Sequence, residues 1–160
     1  MDYMSEYKRW LDSDALSDDE RAELRAVEGN NEEIESRFFA PLSFGTAGLR
    51  GVLGIGLNRM NRFTVGQAAQ GLAKLIVSNG QAAMDRGVAI AYDSRHFSPE
   101  FARQSACILA ANGIKALLFD ELRPTPELSF AIRHYGCIAG INITASHNPK
   151  EYNGYKVYWE

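Results

Sequence analysis

The stretch Gly87–Asp120, "GVAIAYDSRHFSPEFARQSACILAANGIKALLFD", decides the fold. Its first seven residues, "GVAIAYD", are a short apolar run rich in small and β-branched side chains, which reads as a strand buried on both faces. A polar loop follows. Ser98-Pro99 then opens "EFARQSACILAANG" as a helix, with Pro at the first helical position, where its missing N–H costs nothing, and Gly113 just past the end. "IKALLFD" is a second buried strand. A strand, a helix and a strand at this spacing form a right-handed βαβ unit with parallel strands.

The alternation extends in both directions. Upstream, Thr64 is placed to cap "VGQAAQGLAKLIVSNG". Downstream, Thr125-Pro126 repeats the opening device for "ELSFAIRHYG", which Gly136 ends, and "CIAGINITA" is a third strand. The final "NGYKVYW" follows through a loop too short for a crossover, so it pairs antiparallel at one side. The expected fold is α/β, a three-layer αβα domain with a mixed, mainly parallel sheet over residues 41–160. Residues 1–40 are expected to be a helical N-terminal extension: "YMSEYKRWLD", then Ser17 and Glu20 spaced as a capping box before "ERAELRAV", then Asn31 before "EEIESRFF".

Bulk properties narrow the function classes. At 160 residues with 46% hydrophobic and 23% charged side chains, the chain is long enough for one real core. No apolar run approaches the ~20 residues of a membrane span, and the N-terminus carries no signal or transit pattern, so the expected setting is cytoplasmic, with no membrane partner. The net charge of −3 argues against nucleic acid as a partner. Cys107 and Cys137 lie in apolar surroundings with no metal spacing and are expected to fill the core. Asp12, Asp14, Asp18, Asp19 and Glu20 lack the order of a calcium loop and read as first-turn acids on solvated faces. His134 suits the C-terminal end of its helix.

Ligand sites in such sheets gather beyond the carboxyl ends of the strands. Three loops leave those ends with reactive residues: "YDSRHFSPE" with Asp93, Ser94, Arg95 and His96, "RPTPE" with Arg123, and "TASHNPKEYNG" with Ser146. A fourth element, "SFGTAGLRG" (Ser43–Gly51), sits on no obvious strand end, yet its glycines and Arg50 suit close backbone approach to a phosphate. Each has a plainer reading. Asp93-Ser94-Arg95 also makes a turn with a helix cap, the glycines also make turns, and a single Lys156 in a strand is commonly a solvated edge residue. The serine loop resists that reading, because Thr144, Ser146, His147 and Asn148 crowd one strand end. No G-x-S-x-G elbow, P-loop, H-E-x-x-H or dinucleotide fingerprint is present.

"FGTAGLRG" and "TASHNPKEYNGYKVY", with "YDSR" between them, resemble the N-terminal signatures of the α-D-phosphohexomutases, the phosphoglucomutase/phosphomannomutase family. The likeness runs from about Phe44 to Glu160, and the helical lead-in is similar to the bacterial phosphoglucomutase and phosphopentomutase-like branch. The resemblance implies that Ser146 carries a phosphoryl group. It would pass this to a sugar monophosphate, form a bisphosphorylated sugar that also serves as activator, and recover the other phosphate. Catalytic roles would fall on Ser146, Lys156 as the proton-transfer group, and His147 as support of the loop. Arg50, Thr46, Arg95 and Asn148 would bind substrate phosphate. The family's Mg²⁺ would meet Ser146 through its phosphate, with the remaining ligands in a D-G-D-x-D-R loop. That loop is absent from these 160 residues. The expected partners are therefore a phosphosugar and the remaining domains of a four-domain enzyme, with the chain alone inactive and an apolar patch left bare. Two other readings stay open: a stand-alone sugar-phosphate-binding or interaction module, and a slow phosphatase-like protein. Sugar choice is not legible.

Overall fold

A computed structural model describes residues 2–46 and 48–160 of the chain. Three helices lead in: α1 (Tyr3–Leu11), α2 (Asp18–Arg25) and α3 (Asn31–Phe38). The expected capping box opens α2, with Ser17 Oγ accepting from Glu20 N and the Glu20 carboxylate accepting from Ser17 N. The cap of α3 is Asn30, one residue before the expected Asn31, because its side chain reaches Glu33 N at the third helical position. Tyr7, Leu16, Leu24, Ile34, Phe38 and Ile55 form a small core of their own. Bidentate pairing of Arg62 with Glu20 ties this unit to the rest.

The remaining elements are β1 (Leu49–Val52), α4 (Arg62–Ser78), α5 (Gln81–Arg86), β2 (Val88–Tyr92), α6 (Ser98–Ala111), β3 (Ala116–Leu118), α7 (Thr125–His134), β4 (Ala139–Ile143) and β5 (Tyr152–Trp159). Asn61 caps α4 by accepting from Phe63 N and Thr64 N. The expected cap, Thr64, lies inside the helix and answers as the other half of a capping box, its hydroxyl accepting from Asn61 N. Ser98 and Thr125 are first helical residues, so Pro99 and Pro126 take the second position, which also lacks an intrahelical acceptor.

The sheet order is β1-β5-β4-β2-β3, with β2 parallel to β3 and β4, and β5 antiparallel to both β4 and β1. The mixed α/β architecture is as expected, with one correction. Residues 49–52 form an edge strand outside β5, so β5 is internal rather than at the side of the sheet. Gly48 allows that closure. It has φ +97, and a Cβ there would stand 2.1 Å from the Tyr155 carbonyl oxygen.

α4 and α6 cover one face, burying Leu49, Val65, Leu72, Phe101, Leu109, Ile141, Ile143 and Tyr155. α7 covers the other over β2 and β4, with Leu128, Ala131 and Ile132 against Ala89 and Ala91. Cys137 is buried as expected, whereas Cys107 is exposed on α6, because the helical period turns it away from the face that carries Phe101 and Leu109. Leu118, Leu122, Phe130 and Tyr135 stand exposed on β3, α7 and the segments that flank α7. No helix among the described residues is long and apolar enough to cross a membrane.

Candidate functional site

The site forms where β4 ends. Thr144 still pairs with β5, its N–H donating to the Gly154 carbonyl. The chain then turns sharply. Ser146 takes φ +57, a left-handed conformation uncommon outside glycine, and its N–H donates to Thr144 Oγ1 at 3.0 Å. Asn148 N–H closes the turn on the Ala145 carbonyl at 3.1 Å. Ser146 and His147 are exposed, and the Ser146 Oγ to His147 Nδ1 distance of 3.5 Å is at the limit of hydrogen bonding.

Arg95 holds this loop from beneath. Its Nη1 donates to the carbonyls of Pro149 (2.8 Å) and Tyr152 (3.0 Å), and its Nη2 to those of Ser146 (2.9 Å) and Asn148 (2.7 Å). Nε faces Asp93 Oδ2 at 3.4 Å. Every guanidinium nitrogen is thereby engaged with protein. In this structure the donors of Arg95, expected to bind substrate phosphate, engage the backbone of the serine loop and Asp93. Asp93 in turn accepts from Arg95 N–H and Ser98 Oγ, and the buried Asn153 donates to Ser98 Oγ and the His96 carbonyl. These contacts lock "YDSR", the start of α6 and β5 to one another.

Arg50 reaches the same loop from the edge strand. It is exposed on β1, paired with Gly154, and its Nη1 donates to Asn148 Oδ1 at 3.2 Å. Lys156 lies two residues further along β5, opposite Asn142 of β4, and is half-buried with no partner for its ammonium among the described residues. Arg50 and Lys156 share the sheet face on which α7 packs, but stand on β1 and β5, beyond the strands that α7 covers. Thr46 is exposed in the tight turn closed by reciprocal Gly45 and Gly48 hydrogen bonds, and its side chain contacts the serine loop through no hydrogen bond among the described residues. Arg123 pairs with Asp120, Glu121 and Glu127 instead.

An open depression of about 410 Å³ is lined by Asp93, Ser94, Arg95, His96, Ser146, Asn148 and Lys150. Lys150 went unnoticed in the sequence, although it stands four residues after Ser146 in the same loop. Two asparagines were also missed. Asn142 interrupts the apolar run "CIAGINITA", and Asn153 sits in an Asn-Gly pair that imitates a turn. A larger hollow of about 470 Å³, between α2 and α6, holds none of the expected site residues. Among the described residues no group of three or more His, Cys, Asp or Glu side chains could hold a metal ion. A Ser146 phosphate supplies one kind of oxygen ligand only, so these residues do not make a magnesium site by themselves.

Comparison with known proteins places this arrangement. Residues 41–160 match the phosphoglucomutase/phosphomannomutase alpha/beta/alpha domain I. A phosphoglucomutase of Staphylococcus epidermidis is 51% identical over 130 residues, which cover 81% of this chain and 23% of the relative. Human phosphopentomutase is 41% identical over 162 residues, covering 97% of this chain and 26% of the relative. A solved structure from Thermus thermophilus, described as that of a candidate phosphomannomutase, superposes with a TM-score of 0.66 at 35% identity, over 75% of this chain and 26% of that one. The chain thus spans about a quarter of the length of these relatives. It belongs to the phosphoglucomutase/phosphomannomutase family, and its residues 41–160 are that family's α/β/α domain I.

Proposed function

We propose that these residues are the phosphoryl-carrying part of a phosphosugar mutase. The whole protein would interconvert a sugar 1-phosphate and a sugar 6-phosphate, or a pentose 1- and 5-phosphate, through a bisphosphorylated sugar. The observation that carries the reading is the serine loop itself: an exposed hydroxyl on a left-handed residue, gripped at four carbonyls by Arg95 and met by Arg50 at Asn148. Phosphoryl transfer needs in-line positioning and neutralisation of spread charge more than covalent novelty, and a rigid loop with an open hydroxyl meets the first requirement. In this reading phosphorylated Ser146 yields its phosphoryl group to a sugar hydroxyl, whose proton passes by way of Lys156 to the departing Ser146 oxygen. The Ser146 hydroxyl then takes the opposite phosphoryl group of the resulting bisphosphate, its proton passing back to the sugar oxygen that leaves. Arg50 meets the phosphate with a planar cation, and Asn148 orients Arg50. No step here runs through magnesium, because the described residues do not compose a site for it. In the whole enzyme its other ligands would come from outside residues 1–160. Relatives named for glucose and for pentose both occur, so the sugar is left open.

The test uses the longer protein that contains these residues. Ser146→Ala is expected to abolish conversion of glucose 1-phosphate to glucose 6-phosphate, and of ribose 1-phosphate to ribose 5-phosphate. Residues 1–160 alone are expected to convert neither, since losing a single preorganised contact already costs ~10²- to 10³-fold. An active Ser146→Ala enzyme would remove the phosphoserine mechanism.

A further inference from the structure

We propose that Asn142 is a positioning residue for Lys156, its side-chain carbonyl accepting a hydrogen bond from the lysine ammonium. Asn142 is 1% exposed, the one polar side chain within β4. Its Nδ2 donates to Thr125 Oγ1 at 2.7 Å, at the first residue of α7, which fixes the amide. Its Oδ1 is buried with no partner among the described residues. A buried carbonyl left unpaired weakens the fold, and native structures seldom tolerate one.

The donor that answers it stands directly opposite. Asn142 and Lys156 are cross-strand partners on β4 and β5, so their Cβ atoms lie about 4.5–5.5 Å apart on one face. Lys156 has four rotatable bonds and three N–H donors, none spent on another group among the described residues. Curled back, it reaches Oδ1 with one donor and keeps two for the cleft. The consequence rests on the proposed role of Lys156 in proton transfer: Asn142 would set where the ammonium waits. The hydrogen bond itself does not depend on that role. The other charged or titratable groups on the elements of this face include Arg50 on β1, Arg123 just before α7, Glu127, Arg133 and His134 on α7, and Tyr158 on β5. They are the same in parent and variants.

The experiment reads the lysine directly in the 160-residue chain, without substrate. The chain has five lysines, Lys8, Lys74, Lys115, Lys150 and Lys156. With lysine side chains labelled by ¹³C and ¹⁵N, each ammonium is observed by NMR, and the Lys156 signal is identified by its loss in Lys156→Met. In Asn142→Leu the exchange of the Lys156 ammonium protons with water is expected to quicken about tenfold, as a charged-group hydrogen bond disappears. The other four ammonium signals should stay in place. Should Asn142→Leu not fold, Asn142→Ser, too short to span the strand gap, carries the same test. Lys156 ammonium exchange unchanged in a folded variant overturns the proposal. Because no turnover is measured, that result would leave the Ser146 mechanism untouched, and an active Ser146→Ala enzyme would leave this contact untouched.

Discussion

Replacing Arg95 by lysine keeps the charge and removes the fork. The parent guanidinium bonds four carbonyls, those of Asn148 and Tyr152 in part-buried contacts and those of Ser146 and Pro149 in exposed ones, and the side chain is 14% exposed. With about 1 kcal/mol for each shielded bond and about half that for each exposed one, the clamp contributes about 3 kcal/mol. That is a large share of the 5–15 kcal/mol typical of a domain. An ammonium cannot meet four carbonyls arrayed around a plane, so Arg95→Lys should lose about 2 kcal/mol and Arg95→Ala the full amount. Urea unfolding of the chain measures the loss, and amide exchange locates it in residues 146–152. If Arg95 were instead held ready for a ligand's phosphate, its replacement would leave the ligand-free chain as stable as before. An Arg95→Lys variant within about 0.5 kcal/mol of the parent, with unchanged exchange in the serine loop, would therefore refute the clamp.

Three further outcomes follow from single positions. Gly48→Ala puts a methyl against the Tyr155 carbonyl and a non-glycine residue at φ +97, so it should cost about 2–3 kcal/mol and speed amide exchange along Leu49–Val52. Ser146→Gly relieves the left-handed strain and should raise stability by about 1 kcal/mol in thermal unfolding while removing the hydroxyl proposed to carry the phosphoryl group. Tyr155 is buried with no hydrogen-bond partner for its hydroxyl among the described residues, the Ser105 hydroxyl standing near enough only to ease the effect, and burial pushes its ionisation well above the usual 10.0. The folded state thus keeps a proton that the unfolded state releases above pH 10, and stability from this group is full below that pH and falls as pH rises beyond it. Tyr155→Phe should be neutral or stabilising by up to about 1 kcal/mol at pH 7 and should lack this alkaline loss, which paired denaturation curves at pH 8 and pH 11 would reveal.

The alternation from Gly87 to Ala145 was legible because apolar runs of strand length, closed by Gly113 and Gly136, admit little else. The serine loop was legible by its density of hydroxyl, imidazole and amide groups. Other features were hidden for physical reasons. β1 is four residues, "LRGV", whose strand character comes from pairing with Tyr152–Tyr155 far along the chain rather than from its own pattern. The clamp of Arg95 depends on backbone carbonyls, which every residue has and no sequence displays. The caps at Asn30 and Asn61 slipped because asparagine and threonine both satisfy a helix start, and only the geometry chooses between neighbours. Cys107 looked buried from its apolar neighbours, but a helix turns about a third of such a run outward.

The insertion of β5 between β1 and β4 also imposes an order on the chain's birth. β2, β3 and β4 with their helices emerge in succession, each contacting what came just before, while Leu49 must wait for Tyr155, about a hundred residues later. At ribosomal rates of about 5–20 residues per second, that delay is on the order of 5–20 s, roughly a million times or more longer than a helix needs to form. Throughout it Arg50 floats free of Asn148, and at its end β4 offers a bare hydrogen-bonding edge until β5 follows. The guanidinium proposed to meet phosphate is thus made first and seated last: Arg50 takes its place only when β5, which also brings Lys156, closes the sheet.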